Sequence, residues 1–144
     1  MPIPALSDAP DWAQELLANG RVGRLGFVDG DDQPRVQPVT YALADDAAWT
    51  AIDQKPKRSG EPARLRYLRR SPRAALTVDR YDDDWSRLAW VQLLCDVRIV
   101  DADGAPDAMD ALRAKYEPYR ESPPPGPLIR LTPRRALWWS ARPS

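Results

Sequence analysis

The chain has 144 residues, which suffices for one domain but not for two ordinary hydrophobic cores, so we expect a single domain over residues 1–144. Its 21 basic and 21 acidic residues leave no formal net charge, which argues against a general attraction to nucleic acid or to an anionic membrane. The absence of histidine and the single cysteine exclude Ser-His-Asp and Cys-His catalysis, haem held by a proximal histidine, and internal disulfides, so a bound organic cofactor should supply any reactivity.

The N-terminal segment lacks the basic end and apolar run of a signal peptide. No stretch approaches the roughly 18 to 20 apolar residues that cross a bilayer. We therefore expect a cytoplasmic protein with no membrane partner. The first predicted helix covers residues 11–18, with Asp8 as its candidate N-cap and Gly20 just past its end.

Three runs rich in β-branched and aromatic residues follow, at residues 22–28, 35–43 and 48–52. The short polar segments between them predict a β-meander. Pro38 interrupts the second run, and a proline within a strand normally confines that strand to a sheet edge or marks a bulge. Two interpretations stay open: a plain edge strand, or a strand whose free backbone groups hydrogen-bond a flat heterocycle.

A strongly basic segment lies between residues 54 and 73, with Glu61 as its only acid. Its first three cations are Lys55, Lys57 and Arg58. They precede a predicted helix at residues 61–70, and cations beside free N–H groups at a helix start suit an oxyanion. The segment therefore predicts a phosphate site. The alternatives are arginines that solvate a helix and pair with Asp79 and the acidic loop, or a single-stranded nucleic-acid groove; the latter is disfavoured because only Tyr67 interrupts the cations.

Two further strands are predicted at residues 74–81 and 88–100, joined by an acidic loop at residues 82–84. Apolar residues alternate along the longer strand, so one of its faces should meet a core. Cys95 lies among apolar neighbours and is expected to be a buried structural thiol. The three consecutive carboxylates of the loop should point in different directions, which favours a solvated loop over a metal site.

The last predicted elements are a helix at residues 106–116 and strands at residues 128–131 and 136–140. The total is six or seven antiparallel strands and three short helices. Because no helix is placed to form a βαβ crossover, the pattern predicts a mainly β, small closed or partly open barrel. Neither GxGxxG nor GxxxxGK[ST] occurs, so the usual glycine-rich nucleotide cradles are absent from the sequence.

Six tryptophans are many for a chain of this length. Large rings usually lie in a core or a subunit interface. We expect Trp85 and Trp139 to border a ring-binding cleft. The tryptophans expected to be structural are Trp12, Trp49 and Trp90.

With these motifs in this order, the chain resembles the pyridoxamine 5′-phosphate oxidase-like split-barrel family. The resemblance runs from about Trp12 to Trp139 and is carried by residues 35–39, residues 49–53 and the Lys-Pro-Lys-Arg turn at residues 55–58. The stretch at residues 78–91 is more narrowly similar to a branch of F420-dependent oxidoreductases common in actinobacteria. The resemblance implies a six- to seven-stranded antiparallel split β-barrel, like the FMN-binding split barrels, that forms a homodimer with the cofactor in a groove at the interface.

The resemblance also implies roles for particular residues. The deazaflavin ring would be held by Gln37, Pro38, Val39 and Thr40. Thr50 and Ala51 would lie beside the ring and its ribityl chain. The phosphate would be held by Lys55, Lys57 and Arg58. From the partner subunit, Trp85, Trp139 and Arg142 would approach the cofactor.

The implied activity is that of an oxidoreductase that uses reduced coenzyme F420 to transfer a hydride to a flat, conjugated small-molecule acceptor. No catalytic side chain is assigned, because the hydride passes directly between cofactor and acceptor and a proton would come from water or a residue such as Tyr81. The alternatives are an FMN-dependent enzyme of the same fold and a non-catalytic protein that stores or delivers the cofactor. No metal or nucleic-acid partner is expected.

Overall fold

Seven β-strands form one sheet in the computed structural model, which describes residues 3–52 and 62–142. The strands are β1 (Gly23–Val28), β2 (Pro34–Val39), β3 (Ala42–Ala44), β4 (Ala47–Ala51), β5 (Arg73–Arg80), β6 (Ala89–Val100) and β7 (Leu128–Ser140). Their order across the sheet is β2-β1-β5-β6-β7-β4-β3, and every pairing is antiparallel. The predicted mainly β architecture is confirmed.

The described helices are α1 (Asp11–Asn19), α2 (Ala63–Arg70), α3 (Pro106–Lys115) and α4 (Glu117–Glu121). The first three were predicted, and α4 was not. The predicted N-cap at Asp8 is wrong, because α1 begins directly after Pro10 without a side-chain cap. Pro62 precedes α2 rather than lying in its first turn, and the predicted start at Glu61 lies outside the described residues. None of the described helices is long and apolar enough to cross a membrane.

The first four strands form two separate hairpins rather than the predicted meander. β1 pairs with β2 and β3 pairs with β4, but the two hairpins lie at opposite ends of the sheet order. The single strand predicted at residues 35–43 is therefore two strands, separated by Thr40 and Tyr41. The meander prediction failed because a period-two pattern specifies which face of a strand is buried but not its pairing partner. The proline-containing strand, β2, lies at an edge of the sheet, and whether its free backbone groups hydrogen-bond a heterocycle stays a prediction.

The connection between β2 and β3 closes the sheet into a barrel. Three Cα–Cα steps separate Val39 from Ala42 and can reach about 11 Å, so the two edges of the seven-stranded sheet must approach each other. No hydrogen-bonded ladder joins β2 to β3 within the described residues. The barrel is therefore split at this point, and Thr40 and Tyr41 cross the split.

Strand β7 is one element where two strands were predicted. Its register against β6 shifts between Leu94 and Cys95, which face Arg135 and Pro133, so Arg134 is the extra residue of a bulge. A bulge lets a strand continue past a proline that cannot donate to the ladder. The proline at position 133 thus bends the strand without ending it.

The core lies inside the barrel and under the helices. Helices α1 and α2 pack against β1, β5 and β6, and α3 packs against β3 and β4. The inner face of β6 is buried at alternate residues, as its sequence predicted. Cys95 lies on that face, where burial raises the pKa of its thiol to about 12, so it is the structural thiol that was expected.

Candidate functional site

A small cleft opens at the split of the barrel. Its volume is about 160 Å³. Its described lining consists of Val22, Pro38, Val39, Thr40, Ala51 and Arg64. Four of these, Pro38, Val39, Thr40 and Ala51, are candidate cofactor residues from the sequence. Although β2 and β4 lie near opposite ends of the sheet order, barrel closure brings these four residues to one place.

Thr50 does not belong to the described lining of the cleft. Its side chain is fully buried, and its Oγ1 donates a hydrogen bond of 2.6 Å to the backbone oxygen of Thr40. A buried hydroxyl that serves a backbone carbonyl fixes the position of that carbonyl. Thr50 thus anchors the residues that cross the split.

Gln37 and Arg64 connect β2 to helix α2 beside the cleft. The Arg64 Nη1 donates to the Gln37 Oε1 at 2.8 Å. Arg64 was treated in the sequence as one of several arginines on a helix surface, but it lines the cleft. The available signal was its position four residues before Leu68, which places both residues on the inner side of α2.

The later arginines of the basic segment make surface ion pairs. Arg70 pairs with Asp32 at 3.5 Å, and Arg73 approaches Asp96 at 4.0 Å. These contacts agree with the alternative that the later arginines lie on a solvent-exposed helix surface and pair with carboxylates. The predicted partners of these two arginines, Asp79 and the acidic loop, are wrong.

Lys55, Lys57 and Arg58 lie outside the described residues, so the phosphate site stays a prediction. The described residues on either side of this segment are informative. Ala51, before the segment, and Arg64, after it, both line the cleft. The described residues that flank this segment on both sides therefore meet at the cleft that holds the candidate ring-binding residues.

Two tyrosines from the α3–α4 corner hold the residues that cross the split. The Tyr119 hydroxyl lies 2.8 Å from the Thr40 Oγ1. The Tyr116 hydroxyl accepts from the Tyr41 backbone N–H at 3.1 Å, and its one proton is within hydrogen-bond reach of the backbone oxygens of Arg21 and Tyr41. Burial raises the pKa of the Tyr116 phenol. Sequence analysis missed both tyrosines.

Lys115 places a buried amine beside two aromatic rings at the same corner. Its Nζ lies 3.8 Å from the ring centroid of Tyr41 and 5.5 Å from that of Tyr116. Within the described part of the chain this buried Nζ has no hydrogen-bond partner. Burial, and secondarily the charge of Arg21, lowers the pKa of Lys115 to about 8.

The two tryptophans predicted at the cleft do not line it within a single chain. Trp85 is 68% exposed and its Nε1 donates to the Tyr81 hydroxyl at 3.4 Å. Trp139 is 46% exposed and lies opposite Trp90 in the β6–β7 ladder. Arg142 is also exposed, and its backbone N–H bonds to Ser140. Contact of Trp85, Trp139 and Arg142 with a cofactor would need a second subunit.

The tryptophans expected to be structural divide into two groups. Trp49 is buried and donates from Nε1 to the backbone oxygen of Ala44 at 2.8 Å, while Trp12 packs against the core. Trp90 differs from the expectation, because it is partly exposed and lines a groove with Gln92 on the outside of the sheet. Its outward position follows from the alternation of β6.

The acidic loop is held together by its own hydrogen bonds. Asp84 accepts from the backbone N–H and the hydroxyl of Ser86, which lowers the pKa of its carboxyl. Asp82 pairs with Arg87 at 3.0 Å. In the described ranges, no group of three or more potential ligands could hold a metal ion.

Several apolar side chains lie among polar ones on the outside of the sheet. We define this outer face by five outward-pointing residues of strands β2, β5, β6 and β7, namely Val36, Ala75, Leu94, Trp90 and Trp139. Val36 is 68% exposed. A groove of about 790 Å³ runs over this face, and arginines 35, 73, 134 and 135 contribute to its lining. This larger groove contains none of the candidate cofactor residues, so we base the site on the smaller cleft.

Comparison with known proteins gives this arrangement a context. The family described as "Pyridoxamine 5'-phosphate oxidase" matches residues 9–140. A comparison with curated proteins found no match. Three similar solved structures show proteins whose names refer to different ligands.

The first of these is an F420 reductase, which is 23% identical, with a TM-score of 0.62 over 90% of this chain and 98% of that chain. A FAD-binding protein from Mesorhizobium loti is 20% identical, with a TM-score of 0.66 over 90% of this chain and 93% of that chain. The heme storage protein HutZ from Vibrio cholerae is 13% identical, with a TM-score of 0.71 over 97% of this chain and 95% of that chain. At these identities the three structures establish a shared fold.

Proposed function

The chain belongs to the pyridoxamine 5′-phosphate oxidase family, and from this premise we propose that it is an oxidoreductase that uses reduced coenzyme F420 to reduce a flat, conjugated small molecule. The family match and the seven-stranded antiparallel fold identify it as a split barrel. A fold alone does not define an activity, so the proposal depends on the cleft.

The observation that carries the proposal is the convergence of apolar walls and a cation at the split. Val39 and Ala51 are nearly buried, Pro38 is rigid, and Arg64 adds a guanidinium at the same cleft. Apolar surfaces suit a flat ring, and a guanidinium suits a phosphate or carboxylate. The residues present therefore fit a cofactor with a flat ring and an anionic arm.

When bound, the cofactor would supply the hydride. The protein's part would be orientation: Val39 and Ala51 exclude water from one side, Thr40 offers a hydroxyl, and Arg64 holds negative charge. No described residue of the cleft lining has a side chain that titrates near neutral pH. The cleft is therefore suited to positioning rather than to general acid–base catalysis.

We extend the proposal to a homodimer in which the second subunit completes the site. The cleft of about 160 Å³ is smaller than the roughly 300–1,000 Å³ of typical ligand pockets, so one chain offers only part of a binding surface. The outer face supplies exposed apolar residues of the kind found at protein interfaces. Trp139 on that face is a candidate to cover the cofactor from the partner.

The alternatives remain an FMN enzyme of the same fold and a non-catalytic carrier of the cofactor. The names of the F420 reductase and of the FAD-binding protein support a flavin-type ligand in general. Haem has less support, because the chain contains no histidine, the proximal iron ligand of globins and peroxidases.

The test is a parallel titration of the purified protein with coenzyme F420 and with FMN at physiological salt, followed by fluorescence. We expect saturable binding of the deazaflavin and roughly ten- to hundredfold weaker binding by Arg64→Gln, since a charge-assisted contact contributes roughly 1.5–3 kcal/mol. Arg66→Gln is the matched control, because residue 66 is exposed on the same helix and does not line the cleft.

The other outcomes select among the alternatives. Preference for FMN would support the second enzyme class. Tight binding without turnover of quinone-type or other conjugated acceptors would support a carrier. Binding of neither cofactor, or equal losses in both variants, would show that the cleft has been misassigned.

A further inference from the structure

Thr40 is the only residue with a hydroxyl among the described residues that line the cleft. Its backbone oxygen already accepts the hydrogen bond from Thr50, so its main chain is fixed. Its side-chain Oγ1 lies 2.8 Å from the hydroxyl of Tyr119, on helix α4. Whether Thr40 can donate a hydrogen bond into the cleft therefore depends on which of these two hydroxyls is the donor in their mutual contact.

The phenol is the better donor of the pair, because it is more acidic than an aliphatic hydroxyl. When Tyr119 donates to the Thr40 Oγ1, the Thr40 proton cannot point back at Tyr119. That proton is then free to be directed elsewhere, and the cleft is the space that Thr40 lines. With the phenol as donor, the Thr40 hydroxyl keeps its own proton for an acceptor in the cleft.

We propose that Tyr119 is a positioning residue of the cofactor site, which acts through Thr40 to direct one hydrogen bond at an acceptor atom, a carbonyl oxygen or ring nitrogen, of the bound ring system. This inference rests on the proposed function and adds a residue from α4. Tyr119 does not itself line the cleft.

A purely structural role makes a different prediction. The contact also joins α4 to the residues that cross the split. If it served only that structural role, removing it would lower the stability of the protein without changing the affinity or the absorption maximum of the bound cofactor. Tyr116 provides the comparison. Its hydroxyl contacts only the backbone of Arg21 and Tyr41 among the hydrogen bonds described.

The experiment uses the full chain and four single variants, Tyr119→Phe, Thr40→Val, Thr40→Ser and Tyr116→Phe, with the double variant Tyr119→Phe/Thr40→Val. For each, the dissociation constant and the absorption maximum of the bound cofactor are measured with coenzyme F420 and with FMN, and thermal unfolding is recorded. Thr40→Ser keeps the hydroxyl and so serves as the conservative rescue.

We expect Tyr119→Phe and Thr40→Val each to weaken binding about three- to tenfold, as the loss of one hydrogen bond predicts, and to shift the absorption maximum in the same direction. The double variant should lose no more than Thr40→Val, because Tyr119 acts through Thr40. Thr40→Ser should bind like the wild type, and Tyr116→Phe should unfold at a lower temperature with an unchanged spectrum.

Unchanged affinity and spectrum in Tyr119→Phe, or additive losses in the double variant, would overturn the positioning role while leaving the proposed function intact. If the wild-type protein binds neither cofactor, the proposed function fails and the inference fails with it. The wild-type titration therefore separates the two failures.

Discussion

Lys115 shows how the surroundings of a single residue set its ionisation. Its amine is packed between the rings of Tyr41 and Tyr116 and faces the charge of Arg21, and its pKa falls to about 8. The unfolded chain keeps its proton up to about pH 10.4. Between these values residue 115 binds more protons in the unfolded state than in the folded state, so its own contribution to stability rises with pH.

Cys95, whose thiol pKa is raised to about 12, lowers stability above about pH 8.5 in the wild type and in a Lys115 variant alike. Between about pH 8 and about pH 9.5 we therefore expect the slope of the urea midpoint against pH to be more positive in the wild type than in Lys115→Met, which fills the same space without a charge. The window ends there because Tyr41 and Tyr116 have raised pKa values. These tyrosines would lower stability as the unfolded phenols ionise near pH 10. Equal slopes for both proteins over this window would contradict the assignment to Lys115.

At the scale of single elements, helix α1 packs against the barrel through one of its faces. Leu17 is fully buried against the barrel, whereas the preceding Leu16 is only partly buried. A helix of this length is marginally stable in isolation. Its stability therefore comes from its contacts with β5 and β6.

Leu17→Ala should therefore lower the free energy of unfolding by about 2–5 kcal/mol, the usual range for a buried leucine. Leu16→Ala changes the same atoms at the neighbouring position and should cost clearly less. Chemical denaturation of both variants measures the difference. Equal costs would mean that α1 is rotated relative to the described packing.

At the scale of the whole molecule, the outer face and the cleft should depend on each other if the site is shared between two subunits. We expect Trp139→Arg to weaken both self-association and cofactor binding by at least about tenfold, because a charge at an apolar interface is costly to bury. Sedimentation and cofactor titration over a range of protein concentrations measure the two effects.

Asp110→Arg serves as the control for this prediction, because residue 110 is exposed on α3 and does not belong to the outer face. It should change neither association nor binding. A wild-type protein that remains monomeric and binds cofactor with full affinity would contradict the shared site.

Local sequence patterns determined much of this protein. The alternation in β6 predicted its buried face and the burial of Cys95, and Pro38 indicated an edge or a bulge, of which the structure has the edge. The helices with a clear apolar side, α1 to α3, were found within a few residues. These features depend on neighbours along the chain, so the chain itself records them.

Tertiary structure decided how those parts meet. The sequence pattern indicated a meander, but the β3–β4 hairpin pairs with β7, far along the chain. Val39, Ala51 and Arg64 line one cleft only because the sheet closes into a barrel. The contact between Thr40 and Tyr119 joins residues 79 positions apart. Such contacts are determined by the packing of the entire chain. A local pattern determines which face of an element is buried, but it does not determine which element packs or pairs with it.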